Sequence, residues 1–112
     1  MFYGEAGITD VEFEDGAFDV ADDNDKSECE LPEEIVEKWI YRGKGIQLYD
    51  SIDKQFLFVH QKTVVVTDYS PRRDTWIVEQ VFRSSGFRRK KGLDRYSDVD
   101  PEDFKRSCRE NQ

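Results

Sequence analysis

The sequence predicts an α+β protein: a four-stranded antiparallel meander packed by one main helix, with an N-terminal acidic hairpin and loop region and a short C-terminal helix. Three observations carry that expectation. The segments Ile46 to Asp50, Gln55 to Gln61, Thr63 to Tyr69 and Trp76 to Phe82 are rich in β-branched and aromatic residues and are joined by short polar links. Between Pro32 and Gly43 the apolar residues instead recur at helical spacing. Finally, 112 residues with 37% hydrophobic and 13% aromatic content form one domain, 1–112. At this length folding buries about two-thirds of the unfolded chain's surface.

Each element follows from its local chemistry. Asp10 to Glu14 alternates polar and apolar residues, and after the turn signal Asp15-Gly16 the stretch Ala17 to Val20 is its expected hairpin partner. Residues 21–30 read ADDNDKSECE; with no large apolar side chain they cannot offset their ordering entropy, and a mobile acidic loop is expected. These segments make up the acidic N-terminal region, 1–31, and the helix and sheet span 32–82. Pro32 suits the first helical position, Glu33 and Glu34 the positive first turn, Arg42 the negative last turn and Gly43 a left-handed cap. Ile35, Val36, Trp39 and Ile40 form the stripe that meets the sheet. If Gln61 and Lys62 make a two-residue turn, Val59 faces Val64 and Leu57 faces Val66 on one side, while Phe56, Phe58, Val65 and His60 lie on the other. Apolar groups on both sides call for cover on both, by the helix and by the N-terminal hairpin or the C-terminal segment. A basic loop is expected over 83–99. The final helix, 100–112, takes Asp100 as its cap and carries a thin stripe of Phe104 and Cys108.

Charge is unevenly distributed. Residues 1–38 hold 14 acids and two bases, a balance of −12, whereas residues 39–112 hold 15 bases and 11 acids, +4, within a net charge of −8. Local patches set the field a partner meets within a Debye length of roughly 8–10 Å, so an acidic total does not exclude an anionic partner. Cys29 and Cys108 alone cannot build a disulfide framework of the secreted kind. No segment has the order of a signal peptide, and no apolar run approaches the length of a bilayer crossing; a cytoplasmic chain with no membrane partner is expected.

The strongest functional signal is the run from Arg83 to Lys91, in which Arg83, Arg88, Arg89, Lys90 and Lys91 are interleaved with Phe87 and the backbone is freed by Gly86 and Gly92. Clustered cations release counterions from a phosphate backbone, and an aromatic ring stacks on an unpaired base. RNA or single-stranded DNA is the expected partner, with Arg72 and Arg73 in the preceding loop widening the patch. The same run also fits a solvated loop, or one paired internally with the acids of Asp22 to Glu30. Phe56 and Phe58 alternate like the display aromatics of RNA-recognition sheets, but Gln55 and Leu57 stand where small residues belong, so both are assigned to the core. His60 is the only side chain that titrates near neutrality when unperturbed, and it reads as a partly exposed packing residue at a strand end. Two cysteines and one histidine do not make a four-ligand zinc site, and Asp22, Asp23 and Asp25 lack the glycine and distal glutamate of a calcium loop. With no phosphate-cradling glycine loop, nucleophile elbow or dinucleotide fingerprint, no metal, cofactor or catalytic residue is assigned.

These features favour a small non-enzymatic binding or regulatory module that contacts an anionic partner through a basic arm. Two alternatives stand beside it. One helix followed by a meander with a valine-rich strand, Val64 to Val66, and a basic stretch after the last strand is similar in order to small endoribonuclease toxins of the RelE and BrnT kind, over roughly Pro32 to Lys91. That resemblance implies basic and acidic side chains on the sheet as the catalytic set, with Arg83, His60, Glu79 and Lys62 as candidates by location. The other alternative is an acidic mimic of nucleic acid, in which residues 10–34 occupy a basic groove on a protein partner.

Overall fold

A computed structural model describes residues 10–19, 27–84 and 93–110. Among these residues the chain forms a mixed seven-stranded sheet and two helices. The strands are β1 (Val11–Phe13), β2 (Ser27–Glu28), β3 (Ile46–Asp50), β4 (Gln55–His60), β5 (Thr63–Ser70), β6 (Thr75–Arg83) and β7 (Tyr96–Asp98). The helices are α1 (Glu33–Arg42) and α2 (Pro101–Glu110), and a 3-10 turn at Leu93–Arg95 precedes β7.

The sheet runs β1-β6-β5-β4-β3-β7, with β2 also on β6. The expectation of a four-stranded antiparallel meander is therefore corrected. β3 to β6 do pair in sequence, but β7 extends one edge antiparallel to β3, and β1 adds to the other edge parallel to β6. The added strands are only two or three residues long, too short to leave a period in the sequence, and they form because long β3 and β6 offer unpaired backbone groups along their edges.

Two local expectations fall for the same reason. Asp10 to Glu14 is not half of a hairpin: Val11 stands opposite Trp76 and Phe13 opposite Val78, while residues 15–18 form a turn. Part of the acidic loop is also ordered, because Ser27 and Glu28 pair antiparallel with Arg83 and Phe82. The basic loop expected over 83–99 is corrected at both ends, since Arg83 closes β6 and Leu93 to Asp98 form the 3-10 turn and β7; residues 85–92 lie outside the described residues.

The central register is the expected one, with Val59 opposite Val64 and Leu57 opposite Val66. Gln61 and Lys62 make the tight turn in the left-handed region, at φ 50° and 64°, which matches the twist of the flanking strands. β6 carries one extra residue near Glu79, since Val66 opposes Gln80 while Thr67 opposes Val78.

α1 begins one residue later than expected. Pro32 is its N-cap, with extended backbone, and Gly43 closes it in the left-handed region, where the N–H groups of Gly43 and Lys44 donate to Ile40 and Trp39 carbonyls. Val36 and Ile40 of α1 and Phe104 of α2 enter one cluster with Phe56, Phe58, Val65, Tyr69, Trp76, Val78 and Val81. Both helices thus cover the same face, correcting the expectation of cover shared between the two faces. On the opposite face Leu48, Leu57, Val64, Phe82 and Tyr96 form a second cluster, all strand residues. The Trp76 ring packs against Phe56, Phe58, Tyr69 and Phe104, with centroids 5.3–6.1 Å apart. Such aromatic geometry adds to the gain from burial.

Two polar anchors hold the periphery. Arg95 donates two hydrogen bonds to Asp50, at 2.8 and 2.7 Å, and bridges to Asp53, tying β7 to the β3–β4 corner. At the β5–β6 corner Asp74 accepts a hydrogen bond from the Tyr69 hydroxyl and receives Lys105 and Arg109 of α2 at 3.3 and 3.6 Å. No helix among the described residues is long and apolar enough to cross a membrane.

Candidate nucleic-acid interface

One end of the sheet gathers chemistry. His60 stands opposite Thr63, and Thr63 opposite Arg83, so the three form one row across β4, β5 and β6 with their side chains on the same face. α1 crosses that end, and the Trp39 ring meets His60 edge to face, with centroids 4.8 Å apart. The approach is possible because the chain leaves α1 through Gly45, at φ 79°, where a Cβ would stand 2.2 Å from the Val59 carbonyl oxygen.

Beside this row lies a cleft of about 300 Å³. Cys29, Leu31 and Trp39 form its apolar wall, and Glu30, Gln61, Thr63 and Arg83 supply its polar groups. Cys29 and Thr63 are each 3% exposed, whereas Glu30, Gln61 and Arg83 open to solvent. The Thr63 hydroxyl makes no hydrogen bond among the described residues, and Glu30 and Arg83 form no ion pair there. The Ser84 N–H donates to the Lys62 carbonyl at 2.8 Å and closes the hairpin end, and the buried Ser84 hydroxyl has no partner among the described residues.

The expected site residues divide three ways. Arg83 lies at the cleft mouth. Arg72 and Arg73 occupy the β5–β6 turn, at the other end of β6; over nine residues at about 3.3 Å each that is a separation on the order of 25 Å. They do not widen the patch around Arg83. Arg73 bridges to Glu12 of β1 at 2.9 Å, with both side chains about half exposed, while Arg72 is exposed. Phe87, Arg88, Arg89, Lys90 and Lys91 lie outside the described residues, as do Asp22, Asp23 and Asp25.

Phe56 and Phe58 are 0% and 1% exposed beneath the helices, core residues as expected. Of the set implied by the toxin resemblance, His60, Lys62 and Arg83 reach this end. Glu79 does not: it accepts a hydrogen bond from Gln55 at the far end of β4. Burial pushes its carboxyl above the usual range, and the neighbouring Asp68 charge adds to the effect. No group of three or more His, Cys, Asp or Glu side chains suited to a metal occurs among the described residues.

Sequence reasoning missed Glu30, Trp39, Gln61 and Thr63 as site residues. Trp39 was legible only as part of the apolar stripe of α1, and its half-buried position at the stripe's edge depends on the sheet beneath it. Comparison with protein-family models, curated proteins and solved structures finds no match to this chain.

Proposed function

We propose that this protein is a non-enzymatic binding module for single-stranded nucleic acid, RNA in the first place. Contact is made by the Arg83 end of the sheet and by the basic run, Phe87 to Lys91, into which β6 leads. One observation carries the reading: in a chain of net charge −8, Arg83 stands exposed at a cleft mouth with no ion-pair partner among the described residues. Arg73, by contrast, is taken up by Glu12. A cation without an ion-pair partner among the described residues, followed in sequence by four further cations, suits an anion-binding edge, and its affinity would come from released counterions. Trp39 supplies an aromatic surface within the same cleft. Binding is favoured over nuclease chemistry because Glu79, the acid of the implied catalytic set, is engaged by Gln55 away from His60, Lys62 and Arg83.

Fluorescence anisotropy of labelled single-stranded RNA and DNA at two salt concentrations tests the reading. The expected result is binding that weakens with salt and is lost when Arg88, Arg89, Lys90 and Lys91 are all changed to Glu. Unchanged affinity after that charge reversal, or no binding of either strand at low salt, overturns it.

A further inference from the structure

We propose that the cleft between α1 and the His60 end of the sheet is a nucleobase pocket selective for guanine. Trp39 forms its stacking wall, Glu30 accepts from the base edge and Arg83 meets the adjoining phosphate. This deepens the nucleic-acid reading and rests on it.

Size comes first. About 300 Å³ is the small end of ligand-pocket volumes, enough for a base with its sugar and phosphate at the mouth. Its lining is the mixture a base requires: a half-buried indole for the ring face, and Gln61 and Thr63 for the ring edge. Thr63 is the informative group. It is 3% exposed as a residue and lines the cleft, and its hydroxyl makes no hydrogen bond to another described residue. A hydroxyl on the cleft wall can donate to or accept from the ring edge of a ligand.

Charge sets the ligand's orientation. Glu30 and Arg83 line the same cleft without pairing with each other. A ligand complementary to both presents N–H donors at one end and an anion at the other, as a nucleotide does. Among the bases, guanine places two adjacent donors, N1–H and the N2 amino group, toward a carboxylate. Adenine and cytosine set a ring acceptor beside their single amino group, and uracil flanks its one N–H with two carbonyls. The acceptor lone pairs of those three bases repel a carboxylate, so Glu30 discriminates.

Titration of the full chain with the 5′-monophosphates of guanosine, adenosine, cytidine and uridine, followed by indole fluorescence, tests the assignment. Trp76 is 0% exposed in the core, so a change on binding reports Trp39. Guanosine monophosphate is expected to bind at least about tenfold more tightly than the other three, the discrimination of one good bidentate contact. Glu30→Gln brings the four within about twofold. Arg83→Gln weakens the monophosphate but not free guanosine, and Thr63→Val lowers affinity several-fold without lowering the unfolding midpoint. No saturable fluorescence change, or a guanine preference that survives Glu30→Gln, overturns the pocket. Salt-dependent oligonucleotide binding without base preference leaves the basic-arm reading standing while the pocket falls. Guanosine monophosphate binding without oligonucleotide binding does the reverse, making the cleft a site for the free nucleotide.

Discussion

Asp50 is 3% exposed, and each of its interactions favours the charged form. Burial raises its pKa, but the Arg95 hydrogen bonds, the Ile52 and Asp53 N–H groups and the Arg95 charge outweigh burial and hold the carboxyl below the ordinary range. A lowered folded pKa gives stability that is complete above the unfolded value, about 3.9, and is lost as pH falls from there through the folded value. Urea midpoints measured from neutral pH into acid should therefore fall less steeply in Asp50→Asn than in the natural chain. Arg95→Met leaves Asp50 buried without its partner and should cost about 3 kcal/mol by chemical denaturation. Lys62 works the other way. It holds φ 64° in the β4–β5 turn, a conformation a side chain resists, so Lys62→Gly should stabilise by about 0.5–1 kcal/mol. Sequence reasoning offered the Gln61-Lys62 turn as a condition, and the pairing of Val59 with Val64 and Leu57 with Val66 that follows from it is the one the structure shows. It did not reach the Asp50–Arg95 pair, whose members are 45 residues apart and meet only once β7 has joined β3.

At the scale of elements, α2 shows how a thin apolar stripe still docks firmly. Phe104 enters the aromatic cluster with Trp76, Phe56 and Tyr49, and Lys105, 3% exposed, reaches Asp74 while its ammonium lies 5.4 Å from the Tyr69 ring centre. The helix is thus held by one buried ring and a charged anchor on the β5–β6 turn. Phe104→Ala should cost about 3–4 kcal/mol and speed amide exchange in α2 before the central strands. The anchor also marks Tyr69: burial, then the Asp74 hydrogen bond and charge, push its hydroxyl up to about 12 against the opposing Arg109. A raised folded value means that this stability is complete below the unfolded tyrosine range, near 10, and is lost as pH rises toward 12. Tyrosinate absorbance in the folded protein should accordingly show Tyr69 ionising about two pH units late, and in Asp74→Asn earlier. From the sequence α2 read as weakly held, since only Phe104 and Cys108 form its apolar stripe; the Lys105–Asp74 pair depends on a carboxylate that the β5–β6 turn brings beside it.

For the whole molecule, the proposed function asks an acidic chain of net charge −8 to keep a cationic edge. Arg73 is neutralised by Glu12 at one end of β6, and Arg83, at the other, has no ion-pair partner among the described residues. With single-stranded RNA, the slope of log affinity against log salt should fall by on the order of 3 when Arg88 to Lys91 are reversed, at about 0.7 per phosphate contact. Reversing Arg72 and Arg73 should change it far less. What the chain's own sequence determined is whatever neighbouring residues dictate: the α+β class, the presence of α1 and of β3 to β6 to within a residue or so at their ends, the burial of Phe56 and Phe58, and the separation of charge along the chain. Hydrophobic period, turn residues and capping act over a few positions, and that range is legible. Only the tertiary structure decided that both helices share one face, that β1 runs parallel beside β6, that short β2 and β7 complete the edges, and that Glu30, Trp39, Thr63 and Arg83 meet around one cleft. Those outcomes depend on backbone groups and side chains far apart in sequence, whose pairing is favourable only after the central sheet has formed.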